Sequence, residues 1–330
     1  YRTPIGLYLE WPLWKMMVAQ PNLTHLLYII LFMAPSSFAF YYLYRKYFGL
    51  LPLAAFFAAV LPNIIPSMHT LPAYTNGSYI IYLNLIGVTG LLSGLKFLET
   101  GKIYYFMIGV ALYLLMSQAT EYAAMLCLPY ILIFFISFGL NKKTLLLSFS
   151  YGAISVYTVI RTYVVGFTGS SINVYSFDDM LYRFKQGFSF LLPIPYPDDW
   201  FYPVFGLFIL ILIIASYINM KWPDENSCYS SNRAIMPHDN RRYIVAIYSL
   251  TGVSLASVSS FTLVSHWFEA RYFYLAAFPF SILLVFIVYS IFGSGKLLNG
   301  RLASSLIIIT IIMSGLLRSI NYYEGQRANI

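Results

Sequence analysis

The chain has 330 residues, of which 59% are hydrophobic and 10% charged, and its mean hydropathy is +0.70. This composition excludes the pair of soluble domains that the length would suggest, and it predicts a polytopic membrane protein. The net charge of +8 is not gathered into a basic run, so it indicates membrane topology rather than nucleic-acid binding. Cys127 lies in an apolar segment and Cys228 in a polar loop, which predicts no disulfide framework.

The first 22 residues mix Trp, Tyr and Met with Arg2, Glu10 and Lys15. They are too polar and too interrupted to span a bilayer, and they suit a helix that lies in the membrane interface. The chain starts at Tyr1 without a signal peptide. We therefore expect a first helix of the complete protein to precede this residue.

Ten apolar segments follow, each near the roughly 17–25 residues that a bilayer requires. They predict an all-α transmembrane bundle, although Ile103–Phe138 can also be read as one broken unit. The ten predicted spans are Leu23–Leu43, Leu50–Ile65, Tyr79–Phe97, Ile103–Ser117, Tyr122–Phe138, Thr144–Val165, Phe201–Asn219, Tyr243–Val264, Phe273–Phe292 and Leu302–Leu317.

The longest connection between spans predicts a helix of its own. Asp178 and Asp179 would lie in its first turn, where the helix dipole favours acidic side chains, and Pro193 would end it. The chain thus divides into four regions: an outer interfacial segment (1–22), N-terminal transmembrane helices (23–166), an outer loop with an amphipathic helix (167–200) and C-terminal transmembrane helices (201–330).

Lysine and arginine in the connections predict the orientation of the chain. Alternating the loops places twelve of the 20 basic residues on one side, which we therefore assign to the cytoplasm. Eight of the twelve acidic residues fall on the other side. Because acids contribute little to topology, their bias predicts that the functional site faces outward.

Polar side chains at the outer ends of the spans are the candidate site residues. His266, Glu269 and Arg271 lie within six residues between two spans, and ionisable groups at such a boundary suggest function. The alternative is an ordinary interfacial turn. Arg161, in the outer half of a span, can be read as a ligand-binding cation or as a side chain that reaches for the interface. Glu121 can be a site residue or a solvated acid.

Motifs of soluble enzymes are absent from the sequence, which contains no GxGxxG, Walker A, HExxH or CxxC pattern. The four histidines, among them His25 at the start of the first span and His69 in an outer loop, are scattered along the chain. Their spacing predicts no zinc site, and the sequence implies no divalent metal.

Three segments resemble motifs of the GT-C class, the membrane glycosyltransferases that use polyprenyl-phosphate sugars. Tyr1-Arg-Thr-Pro4 with Asn22-Leu-Thr-His25 is similar to an Arg-Pro element followed by a histidine. Leu114–Pro129 is similar to an "LL(A/S)KE…LP" element, with Thr120 in place of the lysine. Glu269–Leu275 is similar to the "ERYLYLPS" element of relatives of protein O-mannosyltransferases, with one residue inserted. The three segments occur in family order.

The resemblance implies a role for each candidate residue. Arg271, and after it Arg161, would bind the phosphate of the donor lipid, because arginine presents forked donors to phosphate. A supporting polar set would surround them: Glu121, Glu269, His266, His25 and Arg2. The carboxylate that acts as general base in the family precedes the Arg-Pro element, so we expect it before Tyr1.

The resemblance therefore implies transfer of a sugar from a polyprenyl-phosphate-linked donor to a glycan or protein acceptor on the non-cytoplasmic face. Its alternatives are a polymerase or ligase of lipid-linked sugars, a transporter or flippase, and a non-catalytic membrane subunit with a membrane-protein partner. Membrane lipid is a further expected partner, and nucleic acid is not. The bacterial cytoplasmic membrane is the favoured location, with the endoplasmic reticulum membrane as the alternative.

Overall fold

The computed structural model describes the chain in sections: residues 15–16, 19–20, 23, 27, 29–64, 79–119, 121–165, 176–192, 198–221, 243–254, 274–292 and 304–314. All regular structure within these sections is helical, and they contain no β-strand. The prediction of an all-α fold is confirmed.

Eleven α-helices are described in these sections, and several are continued by short 3-10 or π turns. They are α1 (Ala34–Lys46, after a π turn at Ile29–Met33), α2 (Pro52–Val60, continued by a 3-10 turn at Leu61–Ile64), α3 (Tyr79–Thr100), α4 (Ile103–Ala119), α5 (Cys127–Phe138, after a 3-10 helix at Glu121–Leu126), α6 (Lys142–Val165), α7 (Phe177–Leu191), α8 (Phe201–Lys221, after a 3-10 turn at Asp198–Trp200), α9 (Tyr243–Ser254), α10 (Tyr274–Phe292) and α11 (Ser304–Ser314).

One helix among the described residues is long and apolar enough to cross a membrane. It lies within α6, over Lys142–Arg161, and has a mean hydropathy of 1.3. Shorter apolar helices occupy the described parts of other predicted spans, for example Ile103–Gln118 and Ala276–Ile291. The helices thus fall where the apolar segments predict them, and the number of membrane crossings stays a prediction.

Glycines allow α3 and α4 to approach closely. Gly90 and Gly94, four residues apart, form the small-residue face that lets two helix backbones meet. A Cβ added to Gly109 of α4 would lie 3.2 Å from the Gly94 amide nitrogen and 3.3 Å from the Gly90 carbonyl oxygen. The Tyr151 hydroxyl of α6 donates to that same Gly90 oxygen at 3.1 Å, so the three helices form one packed unit.

Two short turns bring the ends of these helices together. Gly101 joins α3 to α4 with a φ of 72°, in the left-handed region that favours glycine, and Gly139 ends α5 with a φ of 69°. Asn141 then caps α6, because its Oδ1 accepts from the backbone amides of Lys143 and Thr144, each at 3.0 Å. Short turns make consecutive helices antiparallel, so both turns lie at the same end of the bundle.

The C-terminal helices pack against α1 through aromatic rings. The rings of Phe40 and Phe278 stack with centroids 3.9 Å apart, and the Tyr44 hydroxyl donates to the Phe278 carbonyl at 3.2 Å. At Gly252 of α9, an added Cβ would lie 2.6 Å from the backbone nitrogen of Phe280. Helices α1, α9 and α10 are therefore held at fixed separations.

Helix α7 confirms the amphipathic helix predicted in the long connection. Ser176 caps it, because its hydroxyl accepts a hydrogen bond from the Asp179 amide at 3.2 Å. In turn, the Asp179 carboxylate accepts one from the Ser176 amide. This capping box fixes the start of the helix. On the apolar face, Phe188 contacts the rings of Phe205 on α8 and Phe280 on α10. The helix is thus anchored on the C-terminal part of the bundle.

Candidate functional site

Arg161 of α6 meets Gln118 of α4 at the end of the bundle farthest from the two glycine turns. One Nη1 donor of the guanidinium is directed at the Oε1 of Gln118. The pair is partly buried, and both residues lie near the ends of helices that run side by side. We call this part of the molecule the Arg161 end, defined by Gln118, Arg161 and the 3-10 helix Glu121–Leu126.

Gln118 presents a second polar group at the same place. Its Nε2 atom is buried and has no hydrogen-bond acceptor among the described side chains. A buried amide donor without an acceptor costs about 1–3 kcal/mol. An anionic or hydroxyl-bearing ligand held by Arg161 would supply an acceptor there.

The segment that carries Glu121 packs at this end. The 3-10 helix Glu121–Leu126 begins three residues after Gln118 and contacts both α4 and α6. Two elements that the sequence singled out separately, Arg161 and the Glu121 segment, are therefore neighbours. The side chain of Glu121 lies outside the described part of the structure, so its role in the site stays a prediction.

Buried hydroxyls fix α4 against α6 below the Arg161 end. The Tyr113 and Ser155 hydroxyls are 2.7 Å apart, and the Tyr113 and Tyr151 rings stack with centroids 4.3 Å apart. Thr158, one turn before Arg161, turns its hydroxyl back to the Ile154 carbonyl at 2.9 Å. The contacts of Tyr113 with Ser155 and Tyr151 set the relative position of Gln118 and Arg161, because those residues extend the same two helices.

The remaining predicted site residues fall outside the described sections of the chain. They are Arg2, His25, His266, Glu269 and Arg271. The described part of α10 begins at Tyr274, three residues after Arg271. The roles assigned to these five residues from the resemblance stay predictions.

Arg183 is a buried cation that sequence reasoning missed. It lies on α7 and is only 8% exposed. Its neighbour Lys185 lies over the ring of Tyr202, 4.3 Å from the centroid, which is within cation–π range. No local pattern in the sequence marks this burial, because it depends on how α7 packs on α8 and α10.

The opposite end of the bundle is rich in basic side chains. We call it the basic end; its described cations are Arg45, Lys46, Lys96, Lys102, Lys142 and Lys143. Lys46 of α1 and Lys96 of α3 each lie 3.0 Å from an oxygen of Glu99. Glu99 therefore joins α1 to α3 through a shared carboxylate.

Charge pairing shifts the pKa values at the basic end. Partial burial raises the pKa of Glu99, but hydrogen bonds from Lys96 and Lys46 outweigh it and leave that pKa below the ordinary value of 4.5. Partial burial lowers the pKa of Lys46, yet the Glu99 and Tyr42 contacts raise it above 10.5 overall. Both groups are therefore charged at neutral pH.

Metal ligands do not cluster in the described sections, where no group of three His, Cys, Asp or Glu side chains could hold a metal ion. Comparison of the chain with protein-family models finds no matching family, and comparison with curated proteins finds no relative. The function is therefore inferred from the residues and their geometry.

Proposed function

We propose that this protein is an integral-membrane glycosyltransferase of the GT-C kind. It would move a sugar from a polyprenyl-phosphate-linked donor to an acceptor on the non-cytoplasmic face of the membrane. The observation that carries the proposal is the meeting of Arg161 with Gln118, next to the Glu121–Leu126 helix, at the end of the bundle opposite the basic end.

Arg161 has the chemistry that the donor requires. In the transfer, the acceptor hydroxyl attacks the anomeric carbon of the sugar, the bond from that carbon to the phosphate oxygen breaks, and the phosphate leaves with the negative charge. A guanidinium that hydrogen-bonds this phosphate stabilises the charge as it develops. The proton of the acceptor hydroxyl would pass to a carboxylate that acts as general base.

The surface of α6 supports a membrane location. Phe149, Val156 and Val159 on this helix are 76%, 58% and 60% exposed. Large apolar side chains along a helix with a mean hydropathy of 1.3 favour contact with lipid over contact with water. The basic end would then face the cytoplasm, because lysine and arginine concentrate there.

Transfer activity of the full chain tests the proposal. With a polyprenyl-phosphate-linked sugar as donor, Arg161→Ala should lower kcat/KM about 100-fold, the usual loss when one donor to a developing charge is removed. Arg161→Lys keeps the positive charge but loses the paired donors of the guanidinium. Its kcat/KM should lie between the values of wild type and Arg161→Ala. Arg271→Ala should lower kcat/KM to a similar extent. Lys142→Ala, at the basic end, is the matched control and should retain full activity.

The two non-enzymatic alternatives predict different results in the same experiment. A non-catalytic subunit would bind the donor and transfer nothing. A flippase would move the labelled donor between the leaflets of a vesicle without releasing the sugar. Equal activity of wild type and Arg161→Ala would contradict the proposed site, provided that both proteins melt at the same temperature.

A further inference from the structure

A groove opens between α1, α2 and α10 at the basic end of the bundle. It has a volume of about 400 Å³ and is lined by Tyr41, Leu51, Pro52, Leu53, Phe56 and Tyr289. This volume lies in the range of roughly 300–1,000 Å³ that is typical of small-molecule pockets. The lining is apolar except for the two tyrosine hydroxyls, so it suits a hydrocarbon chain.

The wall formed by α2 is open to the surroundings of the protein. The side chains of Leu53 and Phe56 are 46% and 49% exposed, and they lie one turn apart on this helix. Tyr289, by contrast, is 2% exposed and forms the inner wall. A flexible chain can therefore enter from the side, between helices, as a lipid chain in a bilayer would.

Arg45 places a cation beside the groove. It follows Tyr41 by one turn on the same face of α1. Its Nη1 donates to the Leu50 carbonyl at 2.5 Å, next to Leu51 in the groove wall, and this bond uses one of the five N–H donors of the guanidinium. The bond holds the guanidinium at Leu50, the residue before the lining residue Leu51, where its remaining donors can meet an anionic group.

The charge of the basic end favours an anionic occupant. Its six described cations face one described carboxylate, Glu99. Clustered Lys and Arg at a cytoplasmic membrane surface attract anionic lipid head groups. An apolar groove, an open side and a guanidinium held next to a lining residue match an amphiphile with a phosphate head.

We propose that this groove binds one acyl chain of an anionic phospholipid from the cytoplasmic leaflet, with the lipid phosphate on Arg45. The site lies at the opposite end from Arg161, so it is separate from the proposed donor site. This lipid-binding proposal depends on the proposed membrane location of the chain, and it does not depend on the proposed transfer reaction.

Native mass spectrometry of the full chain in detergent tests this site, with phosphatidylglycerol and phosphatidylcholine of equal chain length as probes. Phosphatidylglycerol should bind about tenfold more tightly, because both lipids carry the phosphate but Arg45 repels the choline cation of phosphatidylcholine. Arg45→Gln should remove this preference, because it should weaken phosphatidylglycerol binding more than phosphatidylcholine binding. Lys142→Gln, at the same end but on α6, should keep the preference.

A variant that fills the groove provides a second test of the lipid site. Leu53→Trp should lower the affinity for both lipids, whereas Leu145→Trp, which changes an equally exposed leucine of α6 (49%), should lower neither. Equal lipid affinity of these two tryptophan variants would overturn the proposal, even if Arg45→Gln does not fold. It would also be overturned if inorganic phosphate bound as tightly as phosphatidylglycerol, because the groove would then contribute nothing.

Discussion

At the basic end, Lys46 and Lys96 share the carboxylate of Glu99, whereas Arg161 at the other end pairs with the neutral amide of Gln118. Among the described side chains, no carboxylate lies within ion-pair distance of Arg161. Two lysines thus share one carboxylate, whereas the partner of Arg161 among the described side chains is a neutral dipole. A cation held in this way retains its attraction for an anion that arrives from outside.

The two ends should lie on opposite sides of a membrane. Phe177, at the start of α7, and Leu140, in the turn before α6, are both 77% exposed and form a matched pair. With Cys228 replaced by serine in both variants, Phe177→Cys in intact cells should react with a membrane-impermeant maleimide, and Leu140→Cys should not. The expected difference is all or none.

The labelling result has a clear contrary outcome. If both cysteines react in intact cells, or if only Leu140→Cys reacts, the predicted orientation is wrong. Opening the cells should make Leu140→Cys reactive, which controls for its accessibility. Cys127 is buried and should stay unlabelled in both variants.

Close packing of the helices keeps the two ends apart, and a substitution at Gly252 tests this packing between α9 and α10. The added methyl of Gly252→Ala would meet backbone atoms of Phe280 and Pro279 at 2.6 and 3.0 Å. Because backbone cannot yield as a flexible side chain does, we expect a loss of about 3 kcal/mol of unfolding free energy. Gly152→Ala on α6 is the control, since an added Cβ there has no atom within 4 Å.

Denaturant titration in detergent would measure both alanine variants. Alanine favours a helix over glycine by about 1 kcal/mol, and this gain applies at both positions. The difference between the two variants therefore isolates the steric effect. Equal stability would mean that α9 and α10 are not held as closely as the structure shows.

The support of the Arg161 end should depend on buried hydroxyls. Tyr113→Phe removes the bond to Ser155 and leaves the Ser155 oxygen buried, at an expected cost of about 1–2 kcal/mol. If this bond positions the Arg161 end, the variant should also raise KM for the donor. Tyr44→Phe, which loses the bond to the Phe278 carbonyl in the other part of the bundle, should destabilise the protein without changing KM.

Helix positions could be predicted from the sequence, because long apolar runs and the acidic first turn at Asp178 and Asp179 are local signals. The contact between Arg161 and Gln118 could not, since it joins residues 43 positions apart through the packing of α4 on α6. Gln118 does lie in Leu114–Pro129, the segment that resembles the LL(A/S)KE…LP element. The burial of Arg183 depends on how α7 lies on α8 and α10, which no local pattern specifies.

The ion pairs of the basic end should make a small, pH-dependent contribution. Because the pKa of Glu99 is lowered in the folded protein, its stabilisation is present above pH 4.5 and is lost as the pH falls through the folded-state value. Partly exposed pairs contribute less than about 1 kcal/mol. In thermal melts between pH 3 and 7, the melting temperature of wild type should fall slightly more steeply with decreasing pH than that of Glu99→Gln. Identical curves would mean that the pairs contribute nothing.

Binding of a polyprenyl phosphate to the full chain tests the central claim most directly. Wild type should bind it, and Arg161→Ala should bind it at least tenfold more weakly, because a charge-assisted hydrogen bond to phosphate contributes about 1.5–3 kcal/mol. Lys46→Ala, which removes a cation already paired with Glu99, should bind it as wild type does. Equal affinity of wild type and Arg161→Ala, or a loss confined to Lys46→Ala, would contradict the account.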